Sequence, residues 1–140
     1  MTVQPQTLLT IGVLLLFLVT VESGGYFLTK VVRRHVETND LQKGFFRAGH
    51  AHAAVLLVLS IVILLVADQV SLPAPLEVVA RSGVPVAAVL MPAGFFLSVL
   101  GKDPQQPGRL IVLLWLGAAS LTAGLLAAGI GLVLAGAAAL

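Results

Sequence analysis

The stretch LLTIGVLLLFLVTV, from Leu8 to Val21, decides the fold class of this chain because it carries no charged side chain. Three further apolar stretches follow it, at about 44–67, 78–101 and 110–139. A helix needs roughly 20 apolar residues to cross a bilayer, whereas a membrane β-barrel shows short segments of alternating hydrophobicity. We therefore predict an all-α integral membrane four-helix bundle, a single domain over residues 1–140 with helices at about 7–30, 44–67, 78–101 and 110–139.

The composition leaves little room for chemistry outside these helices. Of the 140 residues, 59% are hydrophobic and 10% are charged, and the four predicted helices nearly exhaust the chain. Because the chain has no cysteine, disulfides, thiolate catalysis and Cys-ligated metals are excluded. We expect the lipid bilayer to surround the protein and we expect no nucleic-acid partner.

Basic residues concentrate in two of the predicted loops. Five of the eight Lys and Arg residues lie around the first loop and two more flank the third: Lys30, Arg33, Arg34, Lys43, Arg47, Lys102 and Arg109. Loops rich in Lys and Arg tend to stay in the cytoplasm. We therefore predict that both termini are extracytoplasmic, and we expect the protein in a prokaryotic plasma membrane.

Three ionisable side chains share one predicted depth in the membrane. Counted from the basic residues that bound the first two helices, Glu22, His50 and His52 lie roughly 10–14 Å inward at 1.5 Å per residue. Ionisable groups at such a depth are costly and usually functional. Because a short loop joins these two helices, we predict that the three side chains come within reach of one another.

Helical spacing adds two residues to this predicted site. Tyr26 lies one turn from Glu22 on the first helix, and Arg47 lies one turn before His50 on the second. We predict that the two faces meet and that His50 or Arg47 partners Glu22, since an unpartnered carboxylate in lipid is unfavourable. The candidate site for a substrate or proton is therefore Glu22, His50, Tyr26 and Arg47.

Glu22, His50 and His52 are also a candidate metal-binding set. Two histidines separated by one residue diverge on a regular helix, so joint chelation would require Gly49 to loosen the start of the second helix. A carboxylate with imidazoles suits Zn, Fe or Mn better than copper, and haem would need histidines from two protomers. A divalent metal and haem are therefore the candidate cofactors.

The last two helices carry backbone features of their own. Pro85 and Pro92 lie on one face of the third helix and predict a kink. A stripe of small residues runs along the fourth: Ala119, Ala123, Ala127, Gly131, Ala135 and Ala139, with Ser120, Gly124 and Ala128 beside it. Such stripes let helices approach closely, within one bundle or between protomers. Because four thin helices enclose little space, we predict a homo-oligomer formed through this face of the fourth helix.

The segment ESGGYFLTK, from Glu22 to Lys30, resembles the first-helix signature of small multidrug resistance transporters. That signature combines a membrane glutamate, a glycine three residues later and a basic residue at the helix end, which Glu22, Gly25 and Lys30 match. The resemblance covers nine of the 140 residues, and the later helices lack the aromatic pattern of that family. It implies a dimer of four-helix chains and favours transport.

Three functions are consistent with these patterns. The leading hypothesis is a carrier that moves a proton, an ion or a small solute through the Glu22 and His50 site, with Glu22 as the group that takes up and releases protons. The second is a membrane enzyme that acts on a lipid or quinone, with Glu22 and the histidines as metal ligands or as acid and base. The third is an accessory subunit of a larger membrane complex.

Overall fold

The computed structural model describes residues 3–140, and over that range the protein is all-α. It contains four long helices and a short 3-10 turn: α1 Pro5–Val32, α2 Asp40–Ala67, α3 Ala74–Leu97, the turn Arg109–Ile111, and α4 Val112–Ala138. Each of the four helices is long and apolar enough to cross a membrane. The predicted all-α class with four membrane-length helices is confirmed.

α2 begins four residues earlier than the apolar pattern predicts, because a polar capping motif starts it. The side chain of Asn39 accepts a hydrogen bond from the backbone N–H of Gln42 at 2.9 Å. In return, the side-chain oxygen of Gln42 accepts from the backbone N–H of Asn39 at 3.2 Å. This reciprocal pair satisfies two backbone donors that a helix start otherwise leaves free.

α3 is shifted by four residues towards the N-terminus, at Ala74–Leu97 rather than about 78–101. Pro75 lies in its first turn, where the missing N–H would have had no helical partner. Beyond its last turn the side-chain amide of Gln42 donates to the carbonyl oxygens of Val99 and Gly101, at 3.0 and 3.1 Å. These bonds tie the loop 98–108 to the start of α2. We call this end of the molecule, with loops 33–39 and 98–108, the basic end.

α3 and α4 pack with their backbones nearly in contact. A Cβ atom placed on Gly83 would lie 2.5 Å from the Cα of Gly124, and one placed on Gly94 would overlap the backbone of Leu114. The Ser120 hydroxyl donates to the carbonyl oxygen of Gly83 at 2.9 Å. Small residues and interhelical hydrogen bonds are what hold helices together where hydrophobic burial gives little driving force.

Part of the small-residue stripe of α4 is used inside the chain. Gly124, Ala127 and Gly131 are buried, with Leu72 over Gly131. Ala119 and Ala123 on the same helix remain exposed. Oligomerisation through this face stays a prediction, and the surface left for it is narrower than the stripe in the sequence.

α1 packs differently from the other helices. Within residues 3–140, its Cα atoms come within 8 Å of α2 and of no other helix. Leu14 is buried in the main core, which α2 and α3 otherwise form, while most large apolar side chains of α1 are exposed. The helices therefore contact one another mainly in chain order, with a small additional contact between α2 and α4, and α1 and α3 flank an open space.

Candidate functional site

A groove of about 670 Å³ runs between α1 and α3, with α2 as its floor. Its lining is almost wholly apolar and includes Thr20 and Gly24 from α1, His50 from α2, and Ala88 and Val89 from α3. Sites for small molecules typically occupy 300–1,000 Å³ and combine an apolar lining with a few polar groups. The groove therefore has the size and the chemistry to hold an apolar or amphiphilic small molecule.

His50 is the one ionisable side chain among the described residues that line this groove. Its imidazole lies against a pair of glycines on α1. A Cβ atom on Gly24 would lie 3.5 Å from Nδ1 of His50, and one on Gly25 would lie 3.4 Å from Cε1 and 3.5 Å from Nε2. Because glycine has no side chain, these two positions leave room for the imidazole between α1 and α2.

Two prolines on α3 line the same groove. Each lies inside one continuous helix, where a proline leaves the carbonyl four residues earlier without its helical donor. Pro92 acts in this way on the carbonyl of Ala88, which also lines the groove. The carbonyl of Ala88 therefore lacks the N–H donor that residue 92 would normally supply.

Away from the basic end, a hydrogen-bonded network joins three helices. We call it the polar clamp and define it as Thr7, Asp68, Glu77 and Arg81. The Arg81 guanidinium donates to Asp68 Oδ1 at 2.7 Å and to Glu77 Oε1 at 2.9 Å. The Thr7 hydroxyl donates to the same Asp68 oxygen at 2.9 Å, and the backbone N–H of Gln4 donates to the other at 2.9 Å. The clamp thus attaches the start of α1 to the end of α2 and the first turns of α3.

Asp68 stays ionised in this setting. Burial raises the pKa of its carboxyl, but hydrogen bonds from the Gln4 backbone, Arg81 and Thr7, together with the charge of Arg81, outweigh burial and hold the pKa below its usual range. Its side chain is fully enclosed, whereas that of Arg81 is 19% exposed. Asp68 is therefore the centre of the clamp.

The groove continues up to the clamp. A second cavity of about 560 Å³ is lined by clamp residues Thr7, Glu77 and Arg81, and it shares Thr10, Pro85 and Val86 with the groove. The two cavities form one slot between α1 and α3. The clamp and His50 mark the two ends of this slot and lie about 27 Å apart, because 18 residues of α2 at 1.5 Å each separate His50 from Asp68.

The clamp and the slot were not identified from the sequence. The available signal was Asp68 at the end of one apolar stretch and Arg81 just inside the next, a pair of opposite charges across a short loop. Thr7 gives no such signal, because a threonine at a helix start is ordinary in any chain.

Glu22 lies outside the groove. It is exposed, and no ion pair among the described residues includes it. By helical spacing it shares a face of α1 with Gly25 and Thr29. That face borders a third cavity, of about 400 Å³, which Thr29, Arg33 and Arg47 line. His50 therefore lies at the boundary between the groove on one side and the face with Glu22 and Arg47 on the other.

The other predicted site residues have separate partners. Tyr26 is exposed, with the Lys30 ammonium 4.6 Å from the centre of its ring. Nδ1 of His52 lies 2.7 Å from the carbonyl oxygen of Ala48, and its ring packs on Phe95 with 5.0 Å between centroids. His52 thus faces α3, whereas His50 faces α1.

The candidate metal set is not assembled in this structure. Within residues 3–140, no group of three or more His, Cys, Asp or Glu side chains is arranged to hold a metal ion. Glu22, His50 and His52 point to different surroundings, as described above. Metal or haem binding stays a prediction from the sequence.

Comparison of this chain with known protein families, with curated proteins and with solved structures finds no match.

Proposed function

We propose that this protein is a small membrane carrier in which an apolar or amphiphilic solute binds in the slot between α1 and α3. In this proposal the four helices span the bilayer with both termini extracytoplasmic, and protonation of His50 controls binding. The observation that carries the proposal is the position of His50, the one ionisable group on an otherwise apolar groove wall among the described residues.

The electrostatics of the slot favour a solute with a positive charge. An imidazolium in an apolar groove repels a cation at close range, whereas a neutral imidazole does not. At the other end, the clamp carries one positive and two negative side chains, a formal charge of −1 from Arg81, Asp68 and Glu77. A proton on His50 and a lipophilic cation in the groove therefore oppose each other, which is the requirement for exchange of one for the other.

α1 is the element that we propose moves. Among the helices its Cα atoms come within 8 Å of α2 alone, and the clamp attaches its first turn to Asp68 and Arg81. The glycine pair over His50 provides a smooth contact about which α1 can shift. Protons would reach His50 from the face with Glu22 and Arg47, so Glu22 keeps a role in proton transfer, although it lies outside the groove.

The test uses purified protein in liposomes and ethidium, a lipophilic cation with a fluorescence signal. We expect an outward proton gradient to drive the uptake of ethidium into the liposomes. In a separate binding measurement, we expect His50→Gln to abolish the pH dependence of ethidium binding. The matched control is His52→Gln, which removes the same charge two residues away on the face that packs on Phe95. Equal pH dependence in the wild-type protein and in His50→Gln would overturn the proposal.

A second pair of variants tests whether the groove is the binding site. Val89 is 53% exposed and lines the groove, so Val89→Trp should fill it and weaken ethidium binding at least tenfold. Val133, on α4, is 71% exposed and is not among the lining residues. Val133→Trp should leave binding unchanged. Equal losses in the two variants would place the binding site elsewhere.

The orientation is testable because the chain has no native cysteine. Single variants Gln105→Cys and Ser71→Cys place thiols at exposed positions in loops at opposite ends of the helices. In intact cells, a membrane-impermeant maleimide should label Ser71→Cys and should spare Gln105→Cys until the membrane is opened. The reverse labelling would invert the proposed topology.

A membrane enzyme that acts on a lipid or quinone is the second candidate function. The observation that favours it is that the groove is apolar and open between α1 and α3, where a lipid-soluble substrate can enter sideways. His50 would then donate or accept a proton at the headgroup. Extraction of a quinone from the purified protein, with loss of that quinone in Val89→Trp and no ethidium uptake, would favour this candidate over the carrier.

A further inference from the structure

The third cavity, at the basic end, brings two arginines from different helices together. Arg33 follows the last turn of α1 and Arg47 lies in the second turn of α2, and both line the same space of about 400 Å³. Its other walls are Gly25, Leu28, Thr29 and Val32. The cavity shares no lining residue with the groove, so substitutions of its arginines do not alter the lining of the proposed solute site.

Among residues 3–140, neither arginine forms an ion pair with an acidic side chain. The ion pairs among residues 3–140 join Lys43 to Asp40 and Arg81 to Asp68 and Glu77, and none includes Arg33 or Arg47. Two guanidinium groups on one cavity repel each other, and an anion between them removes that repulsion. The chain therefore presents a pair of donors without supplying the anion.

The shape of the cavity indicates what kind of anion it suits. A guanidinium binds phosphate through two parallel hydrogen bonds, and it keeps its charge at any physiological pH. Leu28 and Val32 add apolar surface beside the charged groups, and Val32 is 63% exposed. A free phosphate ion gains nothing from contact with this apolar surface, whereas the first carbons of an acyl chain can pack against it.

We propose that this cavity binds the phosphate headgroup of an anionic phospholipid, with Arg33 and Arg47 on the phosphate and Leu28 and Val32 beside the acyl chain. Lys30 is excluded from the pair because its ammonium lies over the Tyr26 ring. The site holds α1 to α2 at the basic end through a shared anion. It thus complements the polar clamp, which holds α1 at the other end.

The experiment measures lipid binding to the intact protein by native mass spectrometry. Protein in detergent is titrated with dioleoylphosphatidylglycerol and, separately, with dioleoylphosphatidylcholine, which has a phosphate but no net charge. We expect the glycerol lipid to bind with tighter affinity, and we expect Arg33→Gln and Arg47→Gln each to weaken it about fivefold, the loss expected for one cation at an anionic surface. Arg109→Gln is the matched control, because Arg109 is an exposed arginine at the same end that does not line the cavity. It should bind like the wild-type protein.

Two results would overturn this site. If Arg109→Gln weakens lipid binding as much as Arg47→Gln does, the attraction comes from the general charge of the basic end. If 10 mM inorganic phosphate displaces the glycerol lipid from the wild-type protein, the cavity binds a free anion and the apolar wall plays no part. A thermal unfolding scan of each variant without lipid shows whether the protein remains folded. A loss of lipid binding in a folded variant can then be assigned to the cavity.

Discussion

The contact between α3 and α4 and the contact between α1 and α2 show two ways to pack neighbouring helices of similar length. In the first, glycines bring backbones together so closely that no Cβ atom fits between Gly83 and Gly124. In the second, the glycines Gly24 and Gly25 face a side chain, the imidazole of His50, with ordinary van der Waals distances. The same residue type thus excludes side chains in one contact and accommodates one in the other.

This difference accompanies a difference in how much of each helix is buried. α2, α3 and α4 share buried residues along most of their length, while α1 has few. α1 is attached by the polar clamp at its start, by Leu14 in the main core, by the contact of its glycine pair with His50, and by Val31, which clusters with Phe46 and Val99. Local opening is expected where buried apolar contacts are few. The slot between α1 and α3 is therefore bounded by one wall with many buried residues and one with few, and we expect the second to open more readily.

The largest effect is expected from Gly83→Ala. The added Cβ would lie 2.5 Å from the Cα of Gly124 and 2.9 Å from the carbonyl oxygen of Ser120, all backbone atoms that cannot turn aside. Forcing atoms into a packed contact costs roughly 1–3 kcal/mol, and we expect the upper part of that range in the free energy of unfolding, measured by SDS titration in mixed micelles.

The control for this variant is Gly129→Ala on α4. A Cβ atom there would have no neighbour within 4 Å, so the change should be neutral or stabilise the helix by up to about 1 kcal/mol. Equal destabilisation in both variants would mean that the effect arises from glycine in a helix and not from the contact.

Arg81→Gln should destabilise the protein by about 2 kcal/mol and should act on α1 first. The change removes hydrogen bonds to Asp68 and Glu77 and leaves the enclosed carboxylate of Asp68 without its counter-ion. Because Thr7 is held by the same network, amide hydrogen exchange should rise at the start of α1 and stay slow in α4. Arg109→Gln, at an exposed site outside any ion pair of residues 3–140, should change neither measurement. Uniform exchange across all four helices would contradict the idea of a separately attached α1.

Asp68 gives the clamp a dependence on acid pH. Because the folded protein holds the pKa of this carboxyl below its usual range, the ionised form contributes stability that is fully present above the unfolded pKa of about 3.9. That contribution is lost as pH falls through the folded pKa. The melting temperature of the wild-type protein should therefore fall when the pH drops below about 4. This fall should be smaller than the drop in melting temperature caused by Arg81→Gln. Asp68→Asn should be less stable at neutral pH and should lack this acid-dependent fall.

The four helices follow from the sequence because each apolar stretch has membrane length, but their ends do not. α2 starts early through the Asn39 and Gln42 capping pair, and a capping pair outside the apolar stretch is invisible to hydrophobicity alone. The slot could not be predicted from the sequence either. It exists because α1 comes close to α2 alone, and no hydrophobic pattern states which helices touch when every face is apolar.

The candidate site was predictable in part, because helical spacing places polar residues on a helix face but does not fix how two faces meet. Equal depth predicted His50 opposite Glu22, whereas in the structure the imidazole lies against Gly24 and Gly25, two and three residues further along α1. The same reasoning could not tell that Glu22 lies on the exposed side of this contact, since a modest rotation of α1 would turn it towards the groove. The hydrogen bond between His52 and Ala48 was also unforeseen, although a ring four residues from a carbonyl on one helix makes it geometrically simple.

The smallest effect is expected from Gly24→Ala, the counterpart of Gly83→Ala in the looser contact. The new Cβ would lie 3.5 Å from Nδ1 of His50, an ordinary van der Waals distance to a side chain that can adjust. The free energy of unfolding should change by less than about 0.5 kcal/mol, because the gain in helix propensity offsets any slight crowding. A loss as large as that of Gly83→Ala would show that α1 is packed as rigidly on α2 as α4 is on α3. α1 could not then serve as the wall of the slot that opens more readily, and exchange of solute would have to proceed past a fixed groove.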